Sequence, residues 1–165
     1  EDFSGRFLGR IRALSLAHDV LTDERWRGAT LFGLVRSQLS AFAENATEQS
    51  EIVGHNAFLK PNAVQYVGLA LHELIAQSII SGALAQPTGR IRVDGKLFRT
   101  EPEDLPQLVL TWEETGIGSS AAPASAFGYA LLEKIVPAAL SGTARLVLEP
   151  SRLTYTLQIP GSEFF

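Results

Sequence analysis

One change of hydrophobic period limits what this chain can fold into. Up to about residue 81 most apolar residues return at helical spacing; beyond the turn-forming run Gln86-Pro87-Thr88-Gly89 they alternate. A period of about 3.6 buries one stripe of a helix, whereas a period of 2 buries one face of a strand. Helices therefore come first and strands later, in an antiparallel-looking order. That order predicts an α+β protein, a two-layer α/β sandwich with helices on one face of a mixed sheet.

The pattern divides further. Phe3, Phe7, Leu8, Ile11, Leu14 and Val20, with Ala13 and Ala17, predict a helix over 2–21 with a wide apolar stripe. A loop over 22–28 leads to a second helix over 30–44, with Thr30 as N-cap and Leu31, Leu34, Val35, Leu39 and Phe42 on its apolar face. Segments 51–54 and 57–59 read as short strands either side of a His55-Asn56 turn. Pro61 suits the first turn of the longest helix, which runs to Ser81 with Gly82 as C-cap. Strands are expected at 90–94 and 107–113, then a Gly/Ser/Ala-rich stretch at 116–125 and a helix over 127–140. A closing hairpin, 144–149 with 153–159, turns at Pro150-Ser151-Arg152.

Composition removes several function classes. At 165 residues the chain is the size of one domain. The 14 Lys and Arg against 18 Asp and Glu give a charge of −4, which argues against a nucleic-acid surface. The absence of cysteine excludes a disulfide framework, a Cys-based zinc site and a thiol nucleophile, and points to the cytoplasm. The longest apolar stretch, 63–80, is interrupted by Gln65, His72, Glu73 and Gln77, so no membrane contact is expected. A chain that begins Glu1-Asp2-Phe3 and has no methionine is expected to be a piece of a longer protein.

Three local patterns carry chemistry. His72 and Glu73, with Gln77 after them, place polar groups in an apolar helix, where burial without partners is costly, so they are expected to line a cleft. Glu114-Thr115-Gly116-Ile117-Gly118 sets a carboxylate at a strand end before two glycines, which lets backbone approach a flat or anionic ligand. Phe127-Gly128 opens a helix whose first N–H groups suit phosphate. Trp26 and Trp112 read as packing anchors.

The order of the three patterns resembles the Bergerat ATP-binding fold, and in detail the HWE subfamily of bacterial sensor histidine kinases. The residues that carry the likeness are His72-Glu73-Leu74, Trp112-Glu113-Glu114, the run Ala17-His18-Asp19-Val20-Leu21-Thr22, Trp26-Arg27-Gly28-Ala29, Gly82-Ala83-Leu84 and Phe127-Gly128. The resemblance implies that residues 1–22 are the second helix of a dimerisation and phosphotransfer hairpin, and 23–165 an ATP-binding catalytic domain. It implies catalytic roles at Glu73, the base, and His72. It implies cofactor contacts at Gln77, Trp112, Glu114 (to the adenine amino group), Gly116, Gly118, Phe127 and Gly128. It also implies ATP as cofactor, Mg²⁺ held at the Gln77 position, a short nucleotide lid over 119–126, a phosphoacceptor histidine on a preceding helix, a response regulator, and a homodimer through the first helix.

The departures from the family pattern are specific. Gln77 stands where the family has Asn, and the extra methylene moves the amide by about 1 Å, a displacement that can cost on the order of 100-fold in rate. Ile80 stands where it has Lys and cannot donate to a phosphate oxygen. Ser81 replaces Tyr or His, and Ala126 replaces the first glycine of a G-F-G signature. These changes favour an alternative in which a degenerate kinase-like domain acts as a scaffold or a docking and phosphotransfer module. A metabolic enzyme on the same sandwich has less support, since no nucleophile–base pair is visible.

Overall fold

The computed structural model describes residues 3–23, 27–42, 44–118 and 125–165. Trp26 and most of the expected lid, 119–124, lie outside the described residues. The first helix, α1 (Phe3–Asp23), is followed by β1 (Ala29–Thr30), α2 (Leu31–Phe42), β2 (Ser50–Gly54), β3 (Phe58–Leu59) and α3 (Pro61–Ser81). Then come β4 (Arg90–Phe98), β5 (Gln107–Thr115), α4 (Ala126–Ala130), a π-helical turn (Leu131–Ile135), α5 (Val136–Leu140), β6 (Thr143–Glu149) and β7 (Arg152–Ile159).

The larger sheet has the order β2-β4-β5-β7-β6, with β2 parallel to β4 and every other pair antiparallel. Alternation along β4, β5 and β7 turns Ile91, Val93, Leu108, Leu110, Trp112, Tyr155, Leu157 and Ile159 into the core, where the helices cover them. The two-layer α+β sandwich expected from the change of period is the one observed.

Two expectations need correction. Segments 51–54 and 57–59 do not form a hairpin: β2 pairs with β4, and β3 pairs antiparallel with β1. The residues between them serve α2 instead. Leu31 N donates to Ala57 O at 2.8 Å and Phe32 N to Asn56 Oδ1 at 2.8 Å, while Thr30 Oγ1 accepts from Gly33 N at 3.1 Å. These bonds satisfy the first-turn donors that a helix leaves open. The apolar stretch is also longer than expected, because 61–85 is long and apolar enough to span a membrane by length and composition alone. More than half of it is buried inside the sandwich as the central core helix.

α1 docks through its small residues. Ala13 and Ala17 are fully buried, whereas Phe7, Leu8, Ile11 and Leu14 are exposed. Gly5, Gly9, Ala13 and Ala17 recur every four residues, and such spacing lines up one helix face. A Cβ on Gly9 would lie 3.1 Å from His72 Nε2, and one on Gly68 would lie 3.2 Å from the Cβ of Ala17. The two helices therefore run antiparallel at close range. Of the expected wide apolar stripe, Phe7, Leu8, Ile11 and Leu14 face outward, and the small residues make the contact.

The last helical segment is continuous but uneven. Pro137 has no N–H to return to the carbonyl of residue 133, and the π-helical turn lies just before it. Glu133 Oε1 accepts from Leu146 N at 2.8 Å, and Tyr155 OH donates to Leu132 O at 2.7 Å, so this turn is bonded to the sheet.

Candidate functional site

α3 and the start of α4 form two walls of a cavity of about 240 Å³, and α1 forms a third. His72, Glu73, Gln77 and Ile80 project from α3; Ser125 and Gly128 come from the start of α4; Gly5, Arg6, Gly9 and Arg10 come from α1. Leu132, Leu146 and Leu153 make an apolar floor. Sites that bury drug-sized ligands run to roughly 300–1,000 Å³, so this space suits the tail of a nucleotide better than the whole of one.

Glu73 is the charged centre of the cavity. One of its carboxylate oxygens accepts from Arg10 Nε at 2.5 Å, with the two side chains 13% and 19% exposed. The same guanidinium lies over the ring of Phe127, 4.2 Å from its centroid. Arg10 thus joins two residues singled out by sequence on different elements. Neighbouring His72 is buried, which pushes its imidazole below the ordinary value; Arg10 adds to that effect and Glu73 opposes it. Near neutral pH the ring is therefore uncharged.

The remaining residues have structural duties. Gln77 Nε2 donates to Ser81 Oγ at 2.8 Å, which turns the amide nitrogen toward the helix end. Gly128 N donates to Ser125 Oγ at 3.1 Å, so the N-terminus of α4 has fewer open donors than expected. Ala126 begins the helix in right-handed conformation; Ser141 is the non-glycine residue with positive φ among the described residues. A glycine at position 126 is not needed here.

Trp112 and Glu114 point to the same face of β5 and both lie in the core, 0% and 1% exposed. Trp112 Nε1 donates to Glu114 Oε1 at 3.1 Å, and Ala83 N donates to Glu114 Oε2 at 3.2 Å. The Ser78 hydroxyl also bonds this carboxylate, and its oxygen accepts from Leu84 N at 3.1 Å. Burial raises the carboxyl above its ordinary value, and these donors partly offset the rise. Gly82 has no room for a side chain, since a Cβ there would sit 2.3 Å from Glu114 Oε2. Glu114 thereby fastens the end of α3 to the sheet.

Gly116 has φ of +68°, and a Cβ there would lie 2.7 Å from Thr88 O. Its glycine is explained by the turn beside 88–89. Gly118 adjoins the residues outside the description. Of the residues singled out in the sequence, Glu73, His72, Gln77 and Gly128 line one cavity. Trp112, Glu114 and Gly116 are not among its lining residues. Sequence reasoning missed Arg10 and Arg6 as lining residues. For the two arginines the available signal was the four-residue spacing of Gly5, Gly9 and Ala13, which marks the docked face and sets each arginine beside it.

Comparison with known proteins finds histidine kinases. A family model described as HWE histidine kinase matches residues 1–56. Blue-light-activated histidine kinases are relatives: that of Brucella ovis is 26% identical over 155 residues, covering 93% of this chain and 31% of the relative. That of Brucella anthropi is 24% identical over the same length and coverage. The chain therefore spans about a third of the curated relatives it matches. Among solved structures, the histidine kinase domain of the Erythrobacter litoralis blue-light activated histidine kinase superimposes with a TM-score of 0.68 at 16% identity, covering 93% of this chain and 74% of that one. The Acinetobacter baumannii histidine kinase AdeS gives 0.59 at 16% identity, covering 96% and 79%. The fold is that of histidine kinase catalytic domains, and over residues 1–56 the sequence is similar to the HWE histidine kinases.

Proposed function

We propose that the chain is the ATP-binding catalytic domain of a sensor histidine kinase, passing the γ-phosphoryl group of ATP to a histidine outside the chain and from there to a response regulator. The reading rests most directly on Glu73, a nearly buried carboxylate at the wall of a cavity shared by α1, α3 and the start of α4. In the transfer, an acceptor imidazole nitrogen bonds to phosphorus as the bond to the ADP oxygen breaks. Glu73 takes or orients the imidazole proton. ATP would set the setting in the cytoplasm. The exposed Phe7, Leu8, Ile11 and Leu14 of α1 would meet the rest of a dimeric hairpin.

The donor set bears on Mg²⁺. Among the described residues no group of three or more His, Asp or Glu could hold a metal. The Gln77 amide oxygen and the Glu73 carboxylate are the side-chain oxygens of the α3 wall. They fit a metal that arrives with phosphates and keeps waters, as Mg²⁺ commonly does, rather than one caged by protein. Bound in that way, Mg²⁺ would neutralise phosphoryl oxygens.

A second reading, a degenerate module that docks or relays without turning over ATP, is favoured by two observations. Ile80 presents an alkyl chain, 67% exposed, at the cavity, and the Glu114 carboxylate is fully engaged by protein donors. Calorimetric titration with ATP, with and without Mg²⁺, tests the choice. Saturable binding in the micromolar-to-millimolar range, strengthened by Mg²⁺, is expected of the catalytic domain. No heat up to several millimolar would overturn that reading and leave the docking module.

A further inference from the structure

α1 does more than pack. Among the residues that line the cavity, the lysine and arginine side chains number two, Arg6 and Arg10, and both belong to α1. The α3 wall offers Glu73, Gln77 and Ile80, which are anionic, neutral and alkyl. An anion entering this space therefore finds its cations on α1.

Arg10 is held in place to meet it. Close approach of Gly9 to the His72 ring lays α1 across α3, so that Arg10 Nε reaches Glu73 and the guanidinium plane rests on Phe127. Nε is the nitrogen engaged. The two terminal nitrogens carry four further N–H groups, and these make no hydrogen bond to the described residues. A guanidinium with its outer fork open is the geometry that takes two phosphate oxygens side by side.

We propose that α1 completes the phosphate end of the site: Arg10, with Arg6 beside it, binds the terminal phosphates of a nucleoside triphosphate and gives up its pairing with Glu73 to do so. This rests on the nucleotide-binding reading above. A polyphosphate carries more charge than a carboxylate and accepts both arms of the fork. Its arrival therefore draws Arg10 away and repels the Glu73 carboxylate. The base is masked while the cavity is empty of phosphate and exposed when phosphate is present. The cation missing at Ile80 on α3 is thus supplied from a different helix.

The test uses four probes, adenosine, ADP, ATP and inorganic triphosphate, titrated into the whole chain, its Arg10→Gln variant and its Arg10→Lys variant. Thermal melts confirm that each variant folds. Arg10→Gln is expected to weaken ATP and triphosphate about tenfold, the scale of one charge-assisted contact, and to leave adenosine unchanged. Arg10→Lys should recover part of the loss. Equal weakening of adenosine and ATP, or no weakening of either, would overturn the role of Arg10 while the nucleotide reading stands. Triphosphate binding that is lost in Arg10→Gln, without any binding of adenosine or ATP, would uphold the anion site and overturn the nucleotide reading. No binding of any probe would overturn both.

Discussion

At the scale of single residues, the site contains two carboxylates with opposite surroundings. Glu73 faces a cavity and a guanidinium; Glu114 faces the core and three neutral donors. Burial raises the Glu114 carboxyl above 4.5, so the folded protein holds that proton more readily than the unfolded chain does. The resulting stabilisation is fully present below pH 4.5 and is lost as pH rises through the raised folded value. Urea midpoints measured across this window should therefore fall more for the wild type than for Glu114→Gln, which has no proton to lose. Trp112→Phe removes one donor from the carboxylate and should cost about 1–3 kcal/mol at neutral pH. It should also move the window upward, because the ionised form has lost a partner. A midpoint unchanged in Trp112→Phe would mean that the indole N–H is not holding Glu114.

At the scale of elements, α1 turns on its small residues. A leucine at position 9 cannot fit where a Cβ already lies 3.1 Å from the His72 ring, so Gly9→Leu must lift α1 away from α3. The interaction between Arg10 and Glu73, read from a double-mutant cycle, should be on the order of 1 kcal/mol in the wild type and close to zero in the Gly9→Leu background. Equal coupling in both would show that Arg10 reaches Glu73 without help from the packing. The stripe also explains what could be read from sequence and what could not. Large apolar residues announce a helix by periodicity, and α1, α2 and α3 were legible within a few residues of their ends. Glycine and alanine carry little hydrophobic signal, so the docked face of α1 was hidden behind the more conspicuous Phe7, Leu8, Ile11 and Leu14. Pairing of β2 with β4 was hidden for another reason. Two short strands next to each other in sequence suggest a hairpin, but α2 needed Asn56 and Ala57 at its N-terminus, and that need separated them. In the site, side chains that project from one helix, such as Glu73 and Gln77, could be grouped from spacing alone. Contacts across elements, such as Glu114 with Ala83, depend on packing that no local pattern encodes.

At the scale of the whole molecule, the sandwich and α1 rest on unequal foundations. β5 lies between β4 and β7 and carries Trp112 and Leu110 into the core, whereas α1 buries alanines and leaves four large apolar side chains exposed. Cooperative units with few buried apolar contacts open before the rest of a protein does. Amide hydrogen exchange should therefore find α1 opening at a free energy well below that of β5 and β7, which should exchange together through global unfolding. If phosphate is gripped by Arg10, a triphosphate ligand binds the docked state and not the opened one. Its linkage then protects α1 by about 2.7 kcal/mol at a hundredfold excess over Kd, with β5 gaining as much only through the global transition. Adenosine at the same saturation should leave the opening of α1 where it was, since it offers Arg10 nothing to hold. Protection of α1 that rises equally with adenosine and with triphosphate would show that the helix responds to the sandwich as a whole. A rise with triphosphate alone would show that the helix and the cavity share one ligand.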